Sequence, residues 1–141
     1  MTKTTGILLA TILAALSLIH LYWAMGGAFG KAVAIPTVRG KRCFDPSPLA
    51  TIMVAVALLI AMLIVTGQLG MLGETIPGWI FRWGSWGICI IFFLRAVGEF
   101  RLVGFFKQVR DTEFAYWDTR LFSPLCLAIA MMALIVANKE D

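Results

Sequence analysis

The chain has 141 residues, of which 60% are hydrophobic and 14% are charged. Soluble domains are about half apolar and about a quarter charged, so this composition excludes an ordinary soluble domain and indicates lipid as the main solvent. The formal net charge of +4 does not indicate nucleic-acid binding, because the basic residues lie between apolar stretches and not on one soluble surface. Basic residues placed in this way fix orientation in a membrane and meet anionic headgroups.

Four apolar stretches are long enough to cross a bilayer, which takes about 20 helical residues. The stretch at residues 49–72 carries no charge, and the one that begins at Pro77 is interrupted only by Arg82. We therefore predict an all-α fold, a four-transmembrane-helix bundle, in which residues 1–141 form a single integral membrane domain. The predicted spans cover approximately residues 6–27, 48–72, 77–97 and 121–137.

The first span also has features of a secretion signal, because Lys3 precedes an apolar run that ends among small residues. His20, Tyr22 and Trp23 occupy the place where such a signal has small residues before its cleavage site. We therefore expect the first helix to be retained.

Two similar Ser-Pro pairs mark the predicted starts of the second and fourth helices, at Ser47-Pro48 and Ser123-Pro124. Serine is a favoured N-cap, and proline suits the first helical position because its missing N–H is not needed there. Each pair follows a long polar connection, which suggests two tandem helical hairpins arranged as a parallel repeat. The alternative is that Ser-Pro is a common helix opener without a repeat.

Lysine and arginine are distributed unequally between the two ends of the predicted bundle. The terminal face, defined as the end that holds both chain termini, carries Lys3, Arg82 and Lys139. The long-loop face, defined as the opposite end with the two long connections, carries nine such residues. They are Lys31, Arg39, Lys41, Arg42, Arg95, Arg101, Lys107, Arg110 and Arg120. The positive-inside rule then places the long loops in the cytoplasm and both termini outside.

Unusual polar side chains gather at the long-loop face, because they end odd-numbered helices or precede even-numbered ones. Arg95 and Glu99 are four residues apart, so a continuous helix would place them on one face as a pair. This pair either seals the bundle end, together with Asp118, or lines a polar pocket that opens to the cytoplasmic leaflet. The candidate ligand-binding cluster consists of His20, Tyr22, Arg95, Glu99, Asp118 and Arg120.

Metal and cofactor chemistry has no support in the sequence. The three cysteines are far apart, and the single histidine, His20, cannot form a two-histidine haem site. No phosphate-binding loop, nucleophile elbow or metal signature is present. We therefore expect no metal site and no cofactor.

Several segments of the chain together resemble a known family. These are His20-Leu21-Tyr22-Trp23-Ala24 with Gly26-Gly27, Arg95 with Gly98-Glu99-Phe100-Arg101, and Asp118 with Ser123-Pro124-Leu125. The family comprises small bacterial four-span membrane proteins and is catalogued only as a domain of unknown function. The resemblance implies the four-span fold and a multi-pass location in a bacterial inner membrane, but it implies no activity.

The function that the residues favour is that of a binding or accessory protein with a polar site at the cytoplasmic face for an amphiphilic or anionic ligand. One alternative is a membrane-embedded enzyme acting on a lipid-soluble substrate, with His20, Glu99 or Asp118 as general acid or base. Another is a small oligomeric transporter, since four short helices alone hardly enclose a path. The expected partners are membrane lipids and either a second copy or a partner membrane protein, with no nucleic acid.

Overall fold

The computed structural model describes residues 1–139. Its elements in chain order are α1 (Thr2–Ala24), α2 (Lys31–Ala34), β1 (Thr37–Val38), β2 (Lys41–Arg42), α3 (Pro48–Gln68), α4 (Gly78–Val97), α5 (Glu113–Trp117), a π-helical turn (Asp118–Phe122) and α6 (Ser123–Ala137). Four helical runs are long and apolar enough to cross a membrane, the last of them extending over Glu113–Ala137. The predicted all-α four-helix bundle is therefore confirmed.

The four long helices pack as two close pairs around one apolar core. α1 lies mainly against α3 and α4 mainly against α6, while contacts of α3 with α4 and of α1 with α6 complete the bundle. This is the pairing that two tandem helical hairpins would produce. A hydrogen bond of 2.7 Å from Ser17 Oγ to the Ala55 carbonyl joins the first pair within the apolar surroundings. The fully buried core side chains are Leu9, Leu13, Val65, Ile129, Ala133 and Val136.

The two Ser-Pro pairs differ in structure. Ser47 caps α3 as its sequence predicts, with its Oγ accepting a hydrogen bond of 3.1 Å from the Ala50 N–H. Ser123 is not an N-cap, because the helical run already begins after Thr112, whose hydroxyl accepts from the Ala115 N–H at 3.1 Å. The α-helix α6 does begin at Ser123-Pro124, but it continues a helical run from Glu113, so the prediction of Ser123 as the N-cap of the fourth helix is wrong.

A widened turn carries the helical run past Pro124. Proline has no N–H and its ring crowds the preceding turn, so a proline inside a helix calls for a local change of pitch. Here the Ser123 N–H donates to the Asp118 carbonyl across a π turn. The helical run consequently starts at Glu113, eight residues before the predicted position 121, and Asp118 lies within this run rather than in a loop.

Two long connections cover the long-loop face. The first, between α1 and α3, contains α2 and the hairpin of β1 and β2, which pair in antiparallel register with Thr37 opposite Arg42 and Val38 opposite Lys41. The second, residues 98–112, has no helix or strand. The terminal face has only the short connection between Gln68 and Gly78, so α3 and α4 are antiparallel neighbours.

Candidate functional site

A buried charge cluster is centred on Asp118, which is 0% exposed. Its Oδ1 accepts a hydrogen bond of 2.9 Å from Arg95 Nη2. Its Oδ2 accepts from Lys107 Nζ at 2.9 Å and from the Gly104 N–H at 2.8 Å. A carboxylate removed from water is stable only when such charged and hydrogen-bonding partners replace its hydration. We name Arg95, Lys107 and Asp118 the Asp118 cluster.

Lys107 is the member of the cluster that the sequence analysis missed as a site residue. It is 2% exposed, and its ammonium group donates to Asp118, to the Gly104 carbonyl at 2.9 Å and to Thr119 Oγ1 at 2.6 Å. Its three hydrogens therefore all have acceptors. In the sequence Lys107 is one of several charges in a polar connection, and no local pattern marks it as buried.

The cluster fixes the second long connection against the end of α4 through a close backbone contact. The Phe105 N–H donates to the Ala96 carbonyl at 2.9 Å. A side chain at Gly98 or Gly104 would overlap the backbone carbonyl of Val103 or Val97, so the two chain segments approach at glycines. This approach brings the Gly104 N–H within reach of Asp118.

Glu99 does not pair with Arg95, which corrects the sequence-based expectation. α4 ends at Val97, and Gly98 has a φ of 83° that turns the chain out of the helix, so the four-residue helical spacing is lost. The Glu99 carboxylate instead accepts from the Val103 N–H at 3.2 Å and from the Leu102 N–H. Its role in the structure is to cap the loop that carries Lys107.

His20 and Tyr22 lie at the end of α1, and their hydrogen bonds join them to backbone groups and not to the Asp118 cluster. His20 Nδ1 lies 2.7 Å from the Leu16 carbonyl, and its ring packs edge-on against Trp23 with centroids 5.1 Å apart. Trp23 Nε1 donates to the Phe29 carbonyl at 2.7 Å, and the Tyr22 hydroxyl accepts from the Phe29 N–H at 3.4 Å. Tyr22 and Trp23 thus hold the start of the first long connection.

A groove of about 330 Å³ opens beside His20 between α1, α2 and α3. Its walls are mostly apolar, and His20 and Lys31 are the only ionisable side chains in its lining within the described residues. The volume is at the lower end of the range for small-molecule sites, about 300–1,000 Å³. We call this the His20 groove, and its lining residues are His20, Trp23, Lys31, Ala34, Ile35, Phe44, Pro46, Ala50, Thr51 and Val54.

A second cavity, of about 450 Å³, lies at the terminal face between the ends of α3 and α4. Its charged lining residues are Glu74, Arg82 and Lys139. Because these carry both signs, the cavity favours no single ligand charge.

The structure therefore divides the six predicted site residues instead of joining them. Only Arg95 and Asp118 contact each other, while His20 lines the groove and Tyr22 and Glu99 bond to loop backbone. Arg120 is exposed, with its guanidinium carbon 4.0 Å from the centre of the Tyr116 ring, a cation–π contact. Among residues 1–139, no group of three histidine, cysteine or acidic side chains is placed to hold a metal ion.

One protein family matches most of the chain. It is described as a protein of unknown function, DUF3995, and the match covers residues 13–133. This segment contains both the His20 groove and the Asp118 cluster. No curated protein and no solved structure matches the chain. With four helices able to span a membrane and a match over residues 13–133, the chain belongs to the DUF3995 family.

Proposed function

We propose that this protein binds an amphiphilic membrane molecule in the His20 groove and serves as a binding or accessory protein. The observation that carries the proposal is the composition of the groove, whose mostly apolar lining includes two ionisable side chains, His20 and Lys31. An apolar tail gains about 25 cal/mol for each Å² that it buries against such a wall. A polar or anionic head group can form hydrogen bonds with His20 and Lys31.

The hydrogen bond of His20 determines what its ring offers to a ligand. Its Nδ1 lies 2.7 Å from a backbone carbonyl, which only accepts, so Nδ1 carries a hydrogen. The other ring nitrogen, Nε2, is then the one available to the groove. As the ring nitrogen without a hydrogen, Nε2 can accept a hydrogen bond from a ligand hydroxyl.

The Asp118 cluster supports the groove from outside it. Asp118 and Lys107 are buried and have their hydrogen-bonding capacity filled, so neither is available to a ligand. The cluster holds the segment that leads into α5, and α5 packs against α2, which forms one wall of the groove. Of the three acid–base candidates, His20 lines the groove, Asp118 is fully buried in its cluster, and Glu99 is bonded to loop backbone. A single acid–base candidate in the groove favours binding over catalysis.

For location, we propose a multi-pass protein of a bacterial inner membrane with the long-loop face in the cytoplasm and both termini outside. The support is the nine lysines and arginines at that face against three at the other. In this orientation the groove opens to the cytoplasmic leaflet, whose anionic lipids attract basic side chains.

A pair of matched variants tests the groove. Val54 lines it and Val56 does not, yet both lie on α3 and are 45% and 48% exposed. The probe is a dibrominated fatty acid, which quenches nearby tryptophan fluorescence, titrated into the purified protein in detergent. We expect saturable quenching that is mostly lost in Trp23→Phe. Val54→Phe is expected to weaken binding about tenfold, because an overfilled site costs about 1–3 kcal/mol.

Val56→Phe is expected to bind the probe as the parent does. Equal affinities for Val54→Phe and Val56→Phe, or quenching that persists in Trp23→Phe, would show that the fatty acid binds elsewhere and would refute the proposed function.

A further inference from the structure

The first long connection carries most of the net charge of the protein on a short segment. Residues 31–45 contain four basic residues and one acidic residue, a formal charge of +3 against +4 for the whole chain. Three of the basic residues, Arg39, Lys41 and Arg42, are on or next to the hairpin turn and are exposed. We call residues 37–42 the basic hairpin.

The basic hairpin stands at the rim of the His20 groove. The chain leaves the groove lining at Ile35 and re-enters it at Phe44, so the hairpin is bracketed by groove residues. Ile35 is 4% exposed, and the Cys43 N–H donates to the Pro36 carbonyl at 2.9 Å, which closes the base of the hairpin. The base of the hairpin is thereby held beside the groove.

The turn itself is tight and strained. Arg39 and Gly40 form a two-residue connection in which both have positive φ, 51° and 77°. Asparagine, aspartate or glycine is usual at the first of these positions, and arginine there bears a steric cost. A strained residue that persists in a fixed structure is an indication of function.

Within residues 1–139, the positive charge of this segment is poorly compensated. Its one ion pair joins Arg42 Nη1 and Asp45 Oδ1 at 3.4 Å, with side chains that are 50% and 76% exposed. Exposed pairs of this kind contribute little. Lys31, Arg39 and Lys41 form no ion pair in the described part of the chain. The rim of the groove therefore presents a concentration of available cationic donors.

We propose that the ligand of the His20 groove carries a phosphate group, which the basic hairpin and Lys31 bind at the rim. This inference rests on the proposed function. A phosphate monoester carries a charge of about −1.5 to −2 and three acceptor oxygens, which suits several lysine and arginine donors better than a single carboxylate does. Such a group belongs either to a lipid headgroup or to a soluble phosphate compound.

The experiment compares two lipids with the same chains, didecanoyl phosphatidic acid and didecanoylglycerol, by native mass spectrometry of the intact protein in detergent. Inorganic phosphate is added as a competitor. The test variant is Arg39→Gln/Lys41→Gln, which disturbs no side-chain hydrogen bond of the described structure. The matched control is Arg101→Gln/Arg120→Gln, which removes the same charge from exposed residues of the same face that lie outside the hairpin and outside the groove lining.

For the parent protein we expect tighter binding of phosphatidic acid than of didecanoylglycerol, without displacement by inorganic phosphate. The hairpin variant is expected to lose about thirtyfold in affinity for phosphatidic acid, since each basic residue near an anionic headgroup contributes about fivefold. The control variant is expected to retain most of that affinity, and didecanoylglycerol is expected to bind all three proteins equally.

The outcomes separate the two levels of the proposal. If the hairpin and control variants lose affinity equally, the basic hairpin has only an orienting role and this inference is overturned. Displacement by inorganic phosphate would support a phosphate site while assigning it to a soluble compound. If Val54→Phe leaves the binding of both lipids unchanged, the groove itself is not the binding site and the proposed function fails with it.

Discussion

The Asp118 cluster leads to a prediction about compensating substitutions: removing the charge of Lys107 should partly restore the stability that is lost when Asp118 is neutralised. Asp118→Asn leaves Arg95 and Lys107 beside a neutral amide, with Lys107 still buried. Breaking a buried ion pair on one side typically costs about 3–5 kcal/mol, because the remaining charge is uncompensated. At about 3 °C per kcal/mol for a chain of this size, the melting temperature should fall by roughly 10–15 °C.

Lys107→Met alone should cost less, about 1–3 kcal/mol, since Asp118 keeps the Arg95 and Gly104 bonds. The double variant Lys107→Met/Asp118→Asn retains one uncompensated charge where Asp118→Asn retains two, and that charge is on Arg95, whose side chain is one-third exposed although its Nη1 is buried without a partner. It should therefore melt at a higher temperature than Asp118→Asn does.

The assay is thermal unfolding in detergent followed by circular dichroism, with exposed Arg101→Gln as a control expected to stay within about 0.5 kcal/mol of the parent. The reasoning is refuted if Asp118→Asn melts within about 2 °C of the parent, a shift of about 0.7 kcal/mol. It is equally refuted if the two losses simply add, because independent sites add and coupled charges do not.

Three further predictions concern the backbone and the topology. Gly104→Ala should lower the melting temperature, since a side chain there overlaps the Val97 carbonyl, whereas Gly87→Ala on an open helix face should be neutral or slightly stabilising. Ser47→Ala should cost about 1 kcal/mol as a lost N-cap, while Ser123→Ala should be neutral or stabilising because the Ser123 hydroxyl is buried without a partner. Thermal melts of the four variants check both expectations. Reporter fusions at Asp141 should be active outside the cytoplasm, and a fusion active only in the cytoplasm would contradict the proposed orientation.

Hydropathy was sufficient to predict the four spanning helices, because the requirement for about 20 apolar residues leaves few alternatives in a chain of this length. Capping chemistry was sufficient at Ser47, where the serine follows an irregular connection. The same dipeptide does not mark an N-cap at Ser123, because the preceding residues already form a helical run, which passes Pro124 through a π turn. Local signals of this kind depend on what precedes them.

The side-chain partners were beyond sequence reasoning for a different reason. Arg95 and Glu99 have the spacing of a helical pair, but Gly98 ends the helix between them. Arg95 instead forms a salt bridge with Asp118, and Lys107 forms a second salt bridge with the same carboxylate from a connection without regular structure. The His20 groove likewise depends on how the first long connection folds back on α1 and α3. The contacts of the Asp118 cluster and the shape of the His20 groove do not follow from a periodic pattern in the sequence, so the sequence alone could not predict them.

The contrast between the two sets of charges decides how the long-loop face is interpreted. The lysine and the aspartate of the Asp118 cluster are buried and fully hydrogen-bonded, as charges are when they hold a structure together. The charges of the basic hairpin are exposed, of one sign and nearly unpaired within the described residues, yet they occupy a fixed and strained turn. Ordering such charges costs conformational entropy, which within the described residues is offset by no ion pair other than the exposed Arg42–Asp45 contact. In the proposed function, an external anion at the rim of the groove would supply this interaction, and the ligand is therefore sought at His20 and the hairpin and not at Asp118.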